Sequence, residues 1–592
     1  PWVKGLSVKA NGSWDHGYST SKILATPYYV MQASLPSVSS PSISYAKQID
    51  CRLNTYNTLG EGFYRYTNMV GNLSVNFQRS FGDHNVDAMI LGEERDSRYN
   101  GLAAYARDIP FVELPEISSG SYDANHNASG YSGRSRTAGY VARISYDYAK
   151  KYFAELSGRY DGSYKFNGSN HRWGFFPAAS FGWRMSQENW LKDVKWLDNL
   201  KLRFSVGETA NDAVSAFQYL NSYGIGTSVY YNGTPYTALA LSSVANPNLE
   251  WERVLSYNGG VDFSLWNGLL GGSIDAFYNY NYKILSATGS IPGSLGHYYP
   301  HYENYGRADT KGIEISLTHK NTIGTGSNAF KYNIGLNISY AYSRYLRYRD
   351  DLNIPDYQKL TGKAVGSLLG WVAEGLYRSE EEIDASPWPF GQRPRVGDIK
   401  YKDLNGDGVV EYQDKAFTGH SNRPEIQGGL TLEGQWKGFD FSFLFTAAAK
   451  FDVSLTGTYY NGNDDNTIYT ETFKEGGNSP KWLVTGAWRE DNPNAKWPRL
   501  TVSSPTNNNG LASTFWFKDG KYLRLKTAQI GYTLPKKITD FVKIKTVRVF
   551  IEGSNLFTWD GLPKGVDPES PGVNNGYYPQ QRTFMGGISI TL

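Results

Sequence analysis

The stretch Asp403-Leu404-Asn405-Gly406-Asp407-Gly408-Val409-Val410-Glu411-Tyr412-Gln413-Asp414 carries the clearest chemistry in this chain. Its acidic and amide side chains recur at alternate positions and an acid closes the twelfth. Calcium takes about six to eight oxygens at flexible geometry, and this spacing supplies them. Asp403, Asn405 and Asp407 offer side-chain oxygens, Val409 its backbone carbonyl, Glu411 a direct or water-borne contact, and Asp414 the closing carboxylate. Gly408 permits the sharp turn. The competing reading is a polar turn in which Asn, Asp and Gly serve geometry alone. In either case the role is structural, stiffening a loop rather than catalysing.

Other constellations are weaker. Gly296-His297-Tyr298-Tyr299-Pro300-His301-Tyr302 is dense in aromatics that could stack on sugar rings. Loop packing or a membrane-interface girdle explains it more simply. Glu380-Glu381-Glu382 lies in a stretch of mixed charge that a solvated loop surface explains as well as a binding site does. The sequence contains no H-E-x-x-H, no G-x-S-x-G and no phosphate-binding glycine loop. An enzyme is therefore not expected. One cysteine (Cys51) excludes a disulfide scaffold, and a net charge of +3 without a basic stripe gives no nucleic-acid footprint.

The elements around these residues are read from alternation. In Tyr332–Tyr340, one face carries Tyr332, Ile334, Leu336, Ile338 and Tyr340, the other Asn333, Gly335, Asn337 and Ser339. Tyr152, Ala154, Leu156, Gly158 and Tyr160 alternate with Phe153, Glu155, Ser157, Arg159 and Asp161. Val547, Val549 and Ile551 alternate with Arg548, Glu552 and Ser554. Two of these apolar faces end in tyrosines, whose rings are apolar and whose hydroxyls seek water. At roughly 3.3 Å per residue and a tilt near 45°, the tyrosine spacing spans most of an outer-membrane apolar band. The mean hydropathy of −0.50 and the absence of a long apolar run fit strands that turn only every second residue to lipid.

Strands are expected near 3–15, 64–81, 85–98, 135–149, 151–164, 171–185, 198–210, 251–265, 270–284, 305–320, 329–345, 424–436, 438–452, 518–533, 545–557 and 580–592. Brief turns (82–84, 149–150, 267–268, 437–438) separate them on one side. The long excursions 16–63, 99–134, 211–250, 346–423, 453–517 and 558–579 all fall on the other. Barrels of the outer membrane have this parity, with short periplasmic turns and long extracellular loops. The fold class is an all-β transmembrane antiparallel barrel. The mid-pattern start at Pro1 reads as a fragment, with strands 3–15 and 580–592 not natural neighbours.

Several segments, in order, resemble the SusC/RagA family of TonB-dependent transporters. They are Arg159-Tyr160-Asp161-Gly162-Ser163 with Trp173-Gly174-Phe175-Phe176-Pro177, Gly207–Asp212, Asn246-Pro247-Asn248-Leu249-Glu250-Trp251-Glu252, and Asn304-Tyr305-Gly306 with Lys311-Gly312-Ile313-Glu314. Gly397–Asp403, Tyr522-Leu523-Arg524-Leu525-Lys526, Asn555–Thr558 and Tyr578–Phe584 complete the series. The resemblance implies a plugged barrel of about 22 strands, of which residues 1–592 would be the C-terminal portion. Within it, 346–423 would be a long extracellular loop with the calcium-like motif and 453–517 a second long loop. It further implies a TonB-linked plug upstream, a SusD-like lipoprotein lid, an oligosaccharide or peptide ligand, and contact with outer-membrane lipid. The rival from another class is a secreted or surface-attached all-β adhesin or carbohydrate-binding protein, whose apolar faces would form a buried core.

Overall fold

The computed structural model describes residues 3–27, 29–34, 44–49, 56–121, 127–168, 171–288, 300, 302–351, 353–455, 480–500, 508–570 and 580–591. The aromatic segment Gly296–Tyr302 lies almost wholly outside them.

Sixteen strands form one sheet in chain order. They are Leu6–Ala25, Thr58–Phe81, His84–Arg107, Asn127–Tyr148, Tyr152–Ser163, Trp173–Arg184, Leu197–Asn211, Glu252–Leu265, Leu270–Ala287, Tyr302–Ile323, Phe330–Arg347, Ile426–Trp436, Phe439–Ala449, Tyr522–Thr533, Thr546–Asp560 and Thr583–Thr591. Each corresponds to one of the expected strands. The order begins at Leu6–Ala25 and ends at Thr583–Thr591. Among the described residues, no helix is long and apolar enough to cross a membrane.

The largest correction concerns strand length. The first ladder runs on to Ala25↔Thr58 and the second to Thr58↔Arg107, well past the expected ends at 15 and 98. Backbone pairing needs no apolar side chain, so the ladder outlasts the apolar alternation that marked it. Some excursions also carry structure of their own, such as the hairpin Ser222–Tyr231 with Thr234–Ser243.

Two compact units divide the chain: Pro1–Tyr146 with Glu155–Pro177 and Asp212–Trp251, and Asp147–Ala154 with Ala178–Asn211 and Glu252–Leu592. In the first, segments quoted above for the resemblance meet. Trp251 packs on Phe166 and Phe176 at centroid distances of 5.2 and 5.5 Å, and its indole N–H donates to the Arg172 carbonyl. The Ser163 hydroxyl donates to Asp212 at 2.7 Å.

In the second unit the alternation decides the faces. Ile334, Ile338 and Tyr340 on Phe330–Arg347 are each more than a third exposed. Asn333 on the opposite face donates to Glu433 at 2.9 Å. Ile551 is 65% exposed, whereas Arg548 on the other face pairs with Asp440. Apolar columns left open in this way match a lipid-facing wall, not the buried core an adhesin requires.

Candidate functional site

Cross-strand register builds the polar face of the second unit into two rows. One runs Asp275↔Glu314↔Ser339↔Gln427↔Ala448↔Tyr522, the other Ser273↔Ser316↔Asn337↔Gly429↔Thr446. Side chains of directly opposite residues project to the same face, so each row is a stripe of hydroxyls, amides and carboxylates. These rows line a recess of about 830 Å3, which Asn422, Phe451 and Glu569 also border. The recess thus combines a polar wall with a few apolar surfaces. That is the composition of a site for a hydrogen-bonding ligand with apolar faces.

Arginines fix two of its borders. Arg203 forks onto Asp262 at 2.8 and 2.9 Å and reaches Asp275 at 2.9 Å. Arg524, 2% exposed, donates to Asp567 at 2.7 Å, to Glu569 and Gln580 at 2.6 Å, and to the Thr558 hydroxyl at 2.9 Å. Burial works against the charge on Glu569, but Lys526, Arg524 and the Tyr522 hydroxyl together hold its carboxyl below the usual range. Neither arginine cluster was assigned a role from sequence. The Tyr522–Lys526 motif was visible, but its acidic partners lie more than forty residues onward and leave no local signal.

Next to the recess, the excursions 346–423 and 453–517 are not bare loops. Trp371, Leu376, Ile399, Tyr401 and Val410 from the first, with Val453, Leu455, Leu483, Trp497 and Trp516 from the second, form one buried cluster. Short ladders tie it: Ser367–Trp371 with Lys415–Ser421, and Ala373–Leu376 with Ile399–Tyr401. In the acidic stretch Glu380 and Glu381 are exposed, and the packing lies behind them. Glu380–Asp384 is a helix capped by the Ser379 hydroxyl, and its Ile383 is fully buried. Glu382 accepts the Arg378 N–H at 2.8 Å and pairs with Lys400 at 3.1 Å. Burial pushes the Tyr377 hydroxyl up to about 12.

The acidic loop is closed on itself. Asp403 accepts the amides of Gly406 (2.6 Å) and Gly408 (2.9 Å). Asp407 accepts the Val409 amide and the Asn405 side-chain N–H, and these contacts hold its carboxyl below the usual carboxylate range. Asp414, fully buried, accepts Leu404, Asn405 and Glu411 amides at 2.7, 3.2 and 2.7 Å. Val409 pairs with Trp388, and the Glu411 carbonyl accepts the Trp371 indole N–H. Among the described residues, no three acids or histidines come together as a ready metal cage. Each carboxylate has about four lone-pair sites. Asp403 and Asp407 each use two of them here, so the donor set retains oxygens for a hard cation.

Comparison with known proteins places this arrangement. The chain matches the family "TonB dependent receptor-like, beta-barrel" over residues 2–422, and it belongs to that family. It is 27% identical to TonB-dependent receptor P3 of Formosa agariphila over 90% of this chain and 53% of that protein. It is 26% identical to TonB-dependent receptor SusC of Bacteroides thetaiotaomicron, over 89% of this chain and 50% of that protein. The solved RagAB peptide transporter shares the fold at a TM-score of 0.77 and 20% identity, with 100% of this chain and 60% of that chain covered. The SusC/RagA resemblance therefore holds, and the relatives are receptors rather than enzymes. The chain spans about half the length of these curated relatives.

Proposed function

We propose that this chain is the barrel portion of an outer-membrane transporter that imports an oligosaccharide or peptide too large for passive pores. The observation that carries the reading is the pair of polar rows lining the recess. Hydroxyl, amide and carboxylate groups there match the donors and acceptors of sugars and peptide bonds alike, and Phe451 and Tyr522 offer apolar surface. A SusD-like lipoprotein would close over the loop-built head from outside. TonB, acting through a plug elsewhere in the whole protein, would supply the energy. Uptake of labelled oligosaccharides and peptides by cells carrying the whole transporter and its lid tests this. Saturable uptake abolished by a protonophore is expected. Uptake that rises linearly with concentration and ignores the protonophore would rule it out.

We also propose that the Asp403–Asp414 loop takes calcium, with Asp403, Asn405, Asp407, Asp414 and the Val409 carbonyl as ligands and Glu411 in support. Ligand spacing and the free lone pairs support this. The ion would stiffen the loop beside Trp371. Calorimetric titration of the intact transporter is the test. No heat at millimolar calcium would leave the loop a self-bonded turn.

A further inference from the structure

Two neighbouring connections of the second unit lie at the end of the sheet opposite the loop-built head. Trp436-Lys437-Gly438-Phe439 joins one strand pair, and Leu534–Lys545 joins Tyr522–Thr533 to Thr546–Asp560. They are fastened together. The Thr533 amide donates to the Gly438 carbonyl at 2.7 Å, Leu534 to Val547 at 2.9 Å, and Lys545 to Thr591 at 3.0 Å. The second connection folds into the short helix Lys536–Thr539 and the turn Asp540–Val542. Thr539 is buried against the sheet end, whereas Ile538 is 55% and Phe541 90% exposed. Trp436 and Phe439 are each about half exposed. The two connections also carry Lys437, Lys536, Lys537, Lys543 and Lys545, against a single carboxylate within them, Asp540. No ion pair joins any of these lysines to an acid among the described residues.

An anchored patch with exposed apolar side chains, among lysines that make no such ion pair and one of which, Lys437, lies over the Trp436 ring, is suited to a surface that is apolar within and negative at its face. The apolar column Val549, Ile551 and Ile530 leads directly to it, with exposures of 43, 65 and 46%. If that column faces acyl chains, the next step along the strand is the headgroup layer. A soluble partner would have no reason to continue the lipid-facing column.

We infer that this rim is a docking site for anionic glycerophospholipid headgroups of the periplasmic leaflet, with Phe541 and Ile538 inserted at the acyl boundary and the lysines on the phosphates. The inference rests on the outer-membrane reading above. Lysines near an anionic surface each strengthen binding about fivefold, and long stems let them reach headgroups from the interface.

The test uses the whole transporter in nanodiscs of equal phosphatidylcholine and phosphatidylglycerol, with retained lipids identified by native mass spectrometry. The wild type is expected to retain phosphatidylglycerol preferentially. The variant Lys536→Gln/Lys537→Gln/Lys543→Gln/Lys545→Gln is expected to lose that preference, at about fivefold per lysine. Lys537→Gln/Lys543→Gln provides the same readout should the fourfold variant assemble poorly. Phe541→Ser should keep the headgroup preference and retain fewer lipids. Lys359→Gln, in the head region, should change neither. Equal retention of both lipids by the wild type, or an unchanged preference in the lysine variants, would overturn the inference. A wild-type protein that fails to enter the bilayer at all would instead sink the membrane reading on which it rests.

Discussion

The guanidinium of Arg524 donates to the carboxylate of Asp567 at 2.7 Å, from a side chain only 3% exposed. Glu569 shares the same cation. One strand residue thereby holds a loop segment that follows the next strand, and that segment borders the recess. Breaking a buried pair by removing one partner typically costs about 3–5 kcal/mol, because the remaining charges lose their counter-ion.

Arg524→Ala should therefore release the segment around Asp567 and Glu569 while leaving the sheet assembled. Limited proteolysis should show earlier cleavage near 561–570, and ligand binding at the recess should fall with it. Arg524→Lys should rescue only in part, since an ammonium cannot fork onto several acceptors at once. The depressed Glu569 carboxyl fixes the pH dependence. Its contribution is present above the ordinary carboxylate value of 4.5 and is lost as pH falls below it. Proteolytic protection of the segment should accordingly hold at neutral pH and fade on acidification below that value.

The two faces of Phe330–Arg347 should respond oppositely to the same charge. Leu336→Lys places an ammonium on the apolar column, at a cost of about 2–4 kcal/mol near a bilayer midplane. Asn337→Lys, one residue on, places it on the polar face that lines the recess. Urea titration after folding into lipid vesicles should show the first variant destabilised and the second near wild type. Equal losses would contradict the facing.

Much of this architecture was legible because the signals are local. Ile334, Leu336 and Ile338 between Tyr332 and Tyr340 mark a strand within nine residues. The head was not legible for the opposite reason. Trp371, Leu483, Trp497 and Trp516 pack together across more than a hundred residues. Trp371 ends a five-residue strand and Leu483 sits on a six-residue helix, while Trp497 and Trp516 lie outside any strand or helix, so no periodicity registers. The acidic loop was legible as spacing alone. Its spacing did not foretell that Asp414 would accept three backbone amides.

Gly397 offers a test of the head. Its φ of +88° suits glycine, and an added Cβ would lie 2.4 Å from the Trp488 ring. Its amide donates to Tyr377 and its carbonyl accepts from Arg499, so the backbone cannot swing away freely. Gly397→Ala should cost more than about 1 kcal/mol and displace Trp488. A red-shifted tryptophan emission with unchanged strand content by circular dichroism is the expected result.

The last prediction concerns ligand binding itself. Ser339 lies in the middle of the first polar row, between Glu314 and Gln427. Ser339→Trp would put a large ring into a recess of about 830 Å3 without altering the backbone ladder, which tolerates aromatics well. Assembly and detergent extraction should match wild type, while affinity for the imported ligand should fall at least about tenfold, or 1.4 kcal/mol. Gln427→Ala removes one amide and leaves room, so its loss should be smaller, near the roughly 0.5–1.5 kcal/mol of a single neutral hydrogen bond. The ordering separates obstruction from lost recognition. If Ser339→Trp binds as tightly as wild type, the ligand does not occupy this recess, and the site must be sought among the loops of the head.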